Sequence, residues 1–306
     1  MTSPRIVLHP AHPASVGEAF RTAEDLDVVT PERDEVRSAL ENADVLVGWR
    51  WDDAYLVPTL QWVQAISAGV DQFPKADLIS AGVVLTSARG CHGPQVSEHA
   101  FALLLALTRG VGVSMRNAEQ RSWKPIPGVE ISGMTLGVLG LGTIGEEIAR
   151  KGSAWGMRVI GTKGDPSSYV GVAEWVVGPD RTIEVFEGAD VVISVLPDLP
   201  ETRGLVTREC LDALSGGWFV NVGRGSVVAE DDIVGAIDGD SLLGAGLDVF
   251  ETEPLPETSP LWANPRVVLT PHSGGLSPHY GARLMKIFRH NLRAFQGEGD
   301  WLNREA

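Results

Sequence analysis

The sequence predicts an α/β protein built from two doubly wound parallel sheets, and three observations indicate this. The chain has 306 residues, which at about 150 residues per domain corresponds to about two domains. Short apolar runs alternate with amphipathic segments over the first hundred residues, and the same alternation starts again at Met134. Strands that alternate with helices along a chain form parallel sheets whose two faces are covered by those helices.

The first region is predicted to contain five short strands, because apolar residues cluster at five places. These strands are expected at residues 6–8, 28–29, 44–48, 62–67 and 83–86. A helix is expected at 15–24. A second helix starts at Thr30-Pro31, since proline suits the first helical position.

A long apolar helix and a connection separate the two alternating regions. Pro94 opens the helix, which is expected at 95–109. It is hydrophobic over most of its circumference, so we expect it to be buried between elements or domains. The segment 120–133 is rich in proline and glycine and is predicted to be a connection.

The second region is predicted to contain six strands with crossover helices between most of them. The strands are expected at 135–140, 158–162, 190–196, 218–222, 244–249 and 266–270, and a last helix at 278–296. Immediately after the first of these strands comes the G-x-G-x-x-G sequence of Gly140, Gly142 and Gly145, which encloses Thr143 and Ile144. A helix follows at 146–155. Strand, glycine turn and helix in this order predict a dinucleotide site, with the phosphates at the helix N-terminus.

The end of the next strand indicates which dinucleotide is preferred. An NAD-binding protein places Asp or Glu there to bind the ribose 2′-hydroxyl, whereas this strand ends Thr162-Lys163. A cation at this position can pair with a 2′-phosphate, which favours NADP(H). Asp165 lies two positions later, so NAD(H) is also possible.

Composition excludes several other classes of protein. Lys and Arg total 25 and Asp and Glu total 40, which gives a net charge of −15. Such a surface repels phosphate backbones and disfavours nucleic-acid or anionic-membrane binding. Two cysteines make no disulfide framework, and His and Cys do not recur at metal-ligand spacing. No signal peptide is visible and no apolar run could cross a bilayer, so we expect a cytoplasmic protein.

Charged side chains follow three predicted strands of the second region. Arg224 lies in Asn-Val-Gly-Arg-Gly, Glu253 in Phe-Glu-Thr-Glu-Pro and His272 in Thr-Pro-His-Ser-Gly-Gly. Ligands bind at the carboxyl ends of the strands in open α/β sheets. We therefore expect an arginine, a glutamate and a histidine to converge near the bound nicotinamide.

With these motifs the sequence resembles the D-isomer-specific 2-hydroxyacid dehydrogenases, from about Asp44 to its end. GLGTIG, LPDLPETRGL, NVGRG, GAGLDVFETEPLP and TPHSGG match in order, and Arg224, Glu253 and His272 are separated by 29 and 19 positions as in that family. The resemblance implies hydride transfer between NAD(P)H and the C2 carbonyl of a small 2-keto acid. His272 would be the general acid, Glu253 would stabilise and orient its imidazolium, and Arg224 would bind the carboxylate and polarise the carbonyl.

The resemblance also implies further contacts. The substrate carboxylate would be held by the backbone N–H groups of Ala68 and Gly69, and Arg50 would line the pocket. Thr143 stands where relatives often have arginine, so its contact with the pyrophosphate would differ. The remaining cofactor contacts implied by the resemblance are Leu196, Pro197, Thr202, Val222, Gly223, Asp248 and Gly274.

The family also implies the domain organisation. A Rossmann coenzyme domain, 93–274, would be inserted in a flavodoxin-like substrate domain formed by 1–92 and 275–306, and two copies would pair through their coenzyme domains. Two alternatives remain open at this point. One is a short phosphoglycerate dehydrogenase, and the other, from a different class, is a dinucleotide-sensing corepressor-like binding protein.

Overall fold

The computed structural model describes residues 3–306, and the chain divides into two compact units. The first unit comprises Met1–His92 and Leu276–Ala306, and the second comprises Gly93–Gly275. The strands of the described residues are β1 (Arg5–Leu8), β2 (Asp27–Val29), β3 (Val45–Gly48), β4 (Trp62–Ala65), β5 (Val84–Thr86), β6 (Thr135–Leu139), β7 (Arg158–Thr162), β8 (Trp175–Val177), β9 (Val191–Ser194), β10 (Gly217–Asn221), β11 (Leu242–Leu247) and β12 (Val267–Leu269). The α-helices are α1 (Ala14–Arg21), α2 (Val36–Leu40), α3 (Lys75–Ser80), α4 (Gly93–Thr108), α5 (Val111–Glu119), α6 (Thr143–Ala154), α7 (Thr182–Glu187), α8 (Arg208–Ala213), α9 (Glu230–Asp238) and α10 (Tyr280–Phe295).

The first unit contains a five-stranded parallel sheet in the order β2-β1-β3-β4-β5. Side chains alternate between the faces of a strand, so both faces of this sheet are apolar. Ile6 and Leu8 pack with α1 and α10 on one face, while Val7 packs with α2 on the other. Trp62, fully buried, stacks on Phe288 of α10 with ring centroids 5.0 Å apart.

The second unit contains a seven-stranded parallel sheet in the order β12-β11-β10-β9-β6-β7-β8. One face packs against apolar residues of α7, α8 and α9, and the other against α4 and α6. Both sheets are parallel and covered by helices, which confirms the predicted fold class. The sequence interpretation missed β8, a three-residue edge strand that is too short to show a periodic pattern.

Several of the predicted strands are shorter in the structure than in the prediction, and two in the second unit end two residues early. The strand predicted at 190–196 ends at Ser194, and that predicted at 244–249 ends at Leu247. Leu196, Asp248 and Val249 are nevertheless buried in the loops that follow. Buried apolar loop residues are indistinguishable in sequence from a continuing buried strand, which explains both differences.

The strand order places the site of the second unit. The chain runs in opposite directions across the sheet from β6, since β7 and β8 lie to one side and β9 to β12 to the other. A ligand crevice forms at such a switch point, outside the carboxyl ends of the strands. The loops after β6, β9, β10, β11 and β12 therefore share one edge.

The predicted apolar helix is α4, which packs on α6, β10 and β11 within the second unit. Nine of its residues are buried. Among residues 3–306 no single helix is long and apolar enough to span a membrane. The pair α4 and α5 meets the length and composition criteria together, with a bend of 67° at the break between them.

Candidate active site

The glycine turn joins β6 to α6, and each glycine has a separate structural reason. Gly140 has φ of +96°, a left-handed conformation that glycine adopts without strain. A Cβ on Gly145 would lie 2.1 Å from the carbonyl oxygen of Gly140, so only glycine permits this packing. A Cβ on Gly142 would meet no atom within 4 Å. The backbone at Gly142 is thus open to a ligand, and Thr143 and Ile144 begin the helix beside it.

This turn fits the phosphates of a dinucleotide. The N-terminus of α6, a helix of 12 residues, opens at Gly142 with no side-chain cap. Its first N–H groups and the positive end of the helix dipole favour an anion there.

The end of β7 lies against the glycine turn. Thr162 is 2 % exposed, and its hydroxyl accepts a hydrogen bond from the Gly140 N–H at 3.1 Å. The Lys163 ammonium donates to the Leu141 carbonyl at 2.9 Å. Asp165, in contrast, is exposed and accepts hydrogen bonds from both the N–H and the hydroxyl of Ser167. Lys163 therefore lies on the turn, whereas the Asp165 carboxylate caps a turn of its own.

The loops after β9 and β10 approach each other backbone to backbone. A Cβ on Gly223 would lie 2.6 Å from the Leu196 carbonyl oxygen. Pro197 is exposed at this edge, while the hydroxyl of Thr202 donates to the Pro197 carbonyl at 2.5 Å and closes the loop. Val222, which precedes Gly223, donates its N–H to Ser194.

Arg224 is held on a turn shaped by Asn221. The buried Asn221 amide accepts from the Gly223 N–H at 3.1 Å and donates to the Arg224 carbonyl at 2.9 Å. The Arg224 side chain is half-buried and donates to the Gly223 carbonyl at 2.9 Å. Asp198 lies nearby, and its hydrogen bonds with Arg203 and Ser226, together with the Arg224 charge, hold the pKa of that carboxyl below its usual range.

Glu253 and His272 form a hydrogen-bonded pair. His272 Nδ1 lies 2.7 Å from Glu253 Oε2. The other carboxylate oxygen, Oε1, accepts the Phe250 N–H at 3.1 Å, which fixes the orientation of the carboxylate. Since Nδ1 faces a carboxylate, it carries the proton, and Nε2 is the ring nitrogen left to exchange a proton with a ligand.

Two further features surround the Glu253–His272 pair. Gly225, next to Arg224, packs so closely on Phe250 that an added Cβ would lie 1.9 Å from the Phe250 carbonyl carbon. A cavity of about 480 Å³ adjoins the Glu253–His272 pair and is walled by the apolar side chains of Phe250, Leu255, Trp262 and Leu269. These apolar walls border one side of the pair, whose side chains are 49 % (His272) and 35 % (Glu253) exposed.

Asp248 is 2 % exposed and bonds to the segment that carries His272. Its carboxylate accepts hydrogen bonds from the Ser273 and Gly274 N–H groups, each at 2.9 Å, and from the Thr270 hydroxyl at 2.6 Å. Burial alone would raise the pKa of Asp248. Hydrogen bonds from His99, Thr270 and the two amides outweigh burial and hold this pKa below its ordinary value.

Sequence reasoning missed three residues of this arrangement: His99, Asn221 and Thr270. His99 lies on α4, with Nε2 2.8 Å from the Thr270 hydroxyl and 3.1 Å from Asp248. The one signal in the sequence is a histidine in a largely apolar helix, which does not reveal its partner.

Of the four residues predicted to bind substrate, Arg224 lies in the second unit and the other three lie in the first unit. Ala68 and Gly69 follow β4, where the Ser67 hydroxyl donates to the Gly69 carbonyl at 2.6 Å. Within the described part of the chain, no acceptor is found for the N–H groups of Ala68 and Gly69. Arg50 follows β3, and its guanidinium lies 5.0 Å from the centre of the Trp49 ring. A cation and two adjacent N–H groups thus lie at the carboxyl edge of this sheet.

Comparison with known families finds one match, over residues 101–274. It is to the model described as "D-isomer specific 2-hydroxyacid dehydrogenase, NAD binding domain". Among curated proteins, the glyoxylate/hydroxypyruvate reductase A of Serratia proteamaculans is 31 % identical over 244 residues. The alignment covers 77 % of this chain and 78 % of that relative.

Solved structures match over almost the whole chain. A protein from Thermus thermophilus is 29 % identical with a TM-score of 0.83, covering 99 % of this chain and 100 % of that one. The NADPH-dependent glyoxylate/hydroxypyruvate reductase of Sinorhizobium meliloti, crystallised with NADP and malonate, is 26 % identical with a TM-score of 0.82. That alignment covers 99 % of this chain and 97 % of the reductase.

Proposed function

The chain belongs to the D-isomer-specific 2-hydroxyacid dehydrogenase family, and we propose that it reduces glyoxylate or hydroxypyruvate with NADPH as the preferred donor. The reaction class, an NAD(P)-dependent reduction of a 2-keto acid, follows from the family. The two substrates are those in the names of the similar proteins from Serratia and Sinorhizobium.

The observation that carries the proposal is the Glu253–His272 pair at the carboxyl edge of the sheet, 2.7 Å apart. Reduction of a carbonyl produces an alkoxide that must gain a proton. His272 donates this proton from Nε2, and in the reverse reaction it takes the proton back. Glu253 stabilises the imidazolium and keeps the ring in the orientation that directs Nε2 to the substrate.

Three groups of residues orient the substrate. Arg224 binds the keto acid through a guanidinium fork, which suits planar oxygens, and polarises its carbonyl. The N–H groups of Ala68 and Gly69 bind the carboxylate, and Arg50 adds a positive charge that favours an anionic substrate. The substrate role of the first unit rests on these assignments.

The cofactor is a nicotinamide dinucleotide, which when bound supplies the hydride. The N-terminus of α6 and the open backbone at Gly142 bind its pyrophosphate. The loop residues Leu196, Pro197 and Thr202 and the neighbouring Val222, Gly223 and Gly274 border the rest of the molecule. Lys163, with no acid beside it, favours the 2′-phosphate of NADPH, and the similar Sinorhizobium reductase is itself NADPH-dependent.

Initial rates with a panel of keto acids test the function. The panel contains glyoxylate, hydroxypyruvate, pyruvate and phosphohydroxypyruvate, each with NADPH and NADH. We expect turnover in the usual enzymatic range, about 1–10³ s⁻¹, with glyoxylate and hydroxypyruvate, and D-glycerate as the product from hydroxypyruvate. Binding of NADPH without turnover of any keto acid would contradict the proposal.

The same panel separates the alternatives, which the comparisons do not favour. A phosphoglycerate dehydrogenase would act on phosphohydroxypyruvate in preference to the unphosphorylated acid. A corepressor-like binding protein would bind dinucleotide and turn over little.

Lys163→Asp is expected to reverse the cofactor preference. The aspartate removes the attraction for the 2′-phosphate and adds repulsion, while it can bind the ribose hydroxyls of NADH. A lysine–phosphate contact near the protein surface contributes on the order of 1 kcal/mol, so the wild-type preference for NADPH is expected to be modest and to fall as salt increases. The measurement is kcat/KM for both cofactors at two salt concentrations.

Lys286→Glu is the matched control, since it alters net charge equally on the exposed face of α10. It is expected to leave the preference unchanged. A Lys163→Asp variant that still favours NADPH would contradict the assignment. A wild-type protein that favours NADH would also contradict it and would make Asp165 the candidate ribose ligand.

A homodimer formed through the second unit is part of the proposal. Exposed apolar side chains occur on α5 and the loop after it, where Met115 is 65 % exposed and Trp123 is 97 % exposed. Large exposed apolar groups are typical of interaction surfaces. We expect the mass of a dimer by light scattering, and a monomer after the double change Met115→Asp and Trp123→Asp. Val170→Asp, at an exposed apolar residue elsewhere on the second unit, should stay dimeric. A monomeric wild type would contradict this assembly.

The predicted cytoplasmic location stays a prediction.

A further inference from the structure

His272 has a backbone conformation that needs support from its surroundings. Its φ of +49° lies in the left-handed region, where a non-glycine residue is strained. Strain of this kind persists only where neighbouring groups fix the chain. The supporting contacts therefore decide where the imidazole lies.

The support comes mainly from Asp248. The Asp248 carbonyl accepts the His272 N–H at 2.8 Å. The Asp248 carboxylate accepts the N–H groups of Ser273 and Gly274 and the hydroxyl of Thr270. A single buried residue thus bonds to the chain before, at and after His272.

His99 connects this network to α4. In the described part of the chain, it is the one residue of α4 that hydrogen-bonds to Asp248 or Thr270. The Thr270 hydroxyl donates its one hydrogen to Asp248 at 2.6 Å, so its oxygen can accept the Nε2–H of His99 at 2.8 Å. The same N–H points at the Asp248 carboxylate, 3.1 Å away. A Cβ on Gly274 would lie 3.1 Å from the His99 ring, so the ring also packs on the segment.

The helix that carries His99 is a rigid anchor. It has 16 residues and is packed against β10, β11 and α6. A side chain fixed to such a helix can hold a loop more accurately than another loop residue can. His99 and Asp248 therefore connect the loop of His272 to the core of the second unit.

We propose that His99 is a positioning residue, which acts through Asp248 and Thr270 to hold His272 where its Nδ1 meets Glu253 and its Nε2 meets the substrate. The effect on turnover rests on the proposed function, whereas the effect on the segment 270–274 does not. His99 does not take part in the proton transfer itself. It limits the movement of the residue that does.

Two variants test the role of the Nε2–H group. His99→Leu keeps an apolar side chain of similar bulk in the helix and removes the hydrogen-bond donor. His99→Gln retains an N–H donor at nearly the position of Nε2. His290→Leu is the matched control, because His290 Nε2 also makes a hydrogen bond, at 2.9 Å to the Asp300 carbonyl, but on α10 in the first unit.

Hydrogen–deuterium exchange of the protein without cofactor measures directly how strongly the segment 270–274 is protected from opening. In the peptide covering 270–275, His99→Leu is expected to exchange several-fold faster than wild type, and His99→Gln and His290→Leu are expected to match wild type. Unchanged exchange in His99→Leu would overturn the inference whatever reaction the protein catalyses.

Kinetics then test positioning against a merely structural role. His99→Leu is expected to lower kcat by about 10–10²-fold, as small misplacements of catalytic groups do. Its KM and its Kd for NADPH should be little changed, and its solvent deuterium isotope effect should be larger because proton transfer has become slower. His99→Gln should recover most of the rate. Faster exchange with normal kcat and isotope effect would overturn the positioning role. If wild type reduces no keto acid, the proposed function fails, and the exchange data still decide the role of His99.

Discussion

Replacement of His272 by alanine is expected to lower kcat for keto-acid reduction by about 10²–10⁴-fold, the usual contribution of a general acid. The ring nitrogen Nδ1 is bonded to Glu253, so in the proposed reaction Nε2 is the position from which a proton would reach the alkoxide. Alanine has no group that can replace it. The affinity for NADPH, measured by fluorescence titration, should stay unchanged because the glycine turn and α6 are intact.

A companion change, Glu253→Gln, tests the partner of His272. The amide can still accept the Phe250 N–H, but it no longer favours the imidazolium. The pH profile of reduction is therefore expected to move to lower pH, because the protonated donor is lost earlier as pH rises. Glu257→Gln, an exposed change in the same loop, is the control. A His272→Ala variant with near-normal turnover across pH would remove the proton-donor assignment. An unshifted profile in Glu253→Gln would make Glu253 a loop-holding residue only.

The fold class was predictable because its signals are local. Each strand of both sheets except β8 shows as an apolar run, and the glycine turn lies where the backbone of β6 must bend into α6. The close approach of Gly145 to the Gly140 carbonyl explains in physical terms why the sequence signature is so constrained. The placement of Arg224, Glu253 and His272 after three strands at one edge of the sheet was also predictable from chain order alone, because parallel strands present their carboxyl ends at one edge.

The contacts that hold these residues were not predictable, because they join distant parts of the chain. His99 and Thr270 are 171 positions apart, and no spacing rule connects a helix residue to a loop at that separation. Asp248 shows a related limit. The resemblance implied a contact with the nicotinamide, which stays a prediction, whereas the structure shows its carboxylate bonded to Thr270, Ser273 and Gly274. A side chain's partners depend on tertiary packing, which the local pattern does not encode.

Arg224 is the residue whose loss should affect both binding and chemistry. Its turn is fixed by the Asn221 amide through two hydrogen bonds, and the loop beyond it packs on Phe250 through Gly225. The guanidinium is thus presented by a rigid backbone at the same edge as Glu253 and His272. In the proposed reaction, a preorganised charge of this kind would act on the substrate carboxylate in the ground state and on the developing oxyanion in the transition state.

Arg224→Ala is accordingly expected to lower kcat/KM by about 10²–10³-fold or more, the usual cost of one oxyanion donor, with KM raised and kcat lowered together. Arg224→Lys should recover only part of the loss, because an ammonium keeps the charge but lacks the planar fork. Arg181→Ala is the control, since Arg181 forms a bidentate pair with Glu184 on the exposed surface, where such pairs contribute little. Steady-state kinetics with glyoxylate separate the two parameters, and added guanidinium ion should restore part of the Arg224→Ala rate. If Arg224→Ala raised KM while kcat stayed normal, Arg224 would bind only the carboxylate and would not polarise the carbonyl. The polarisation of the carbonyl would then have to come from His272.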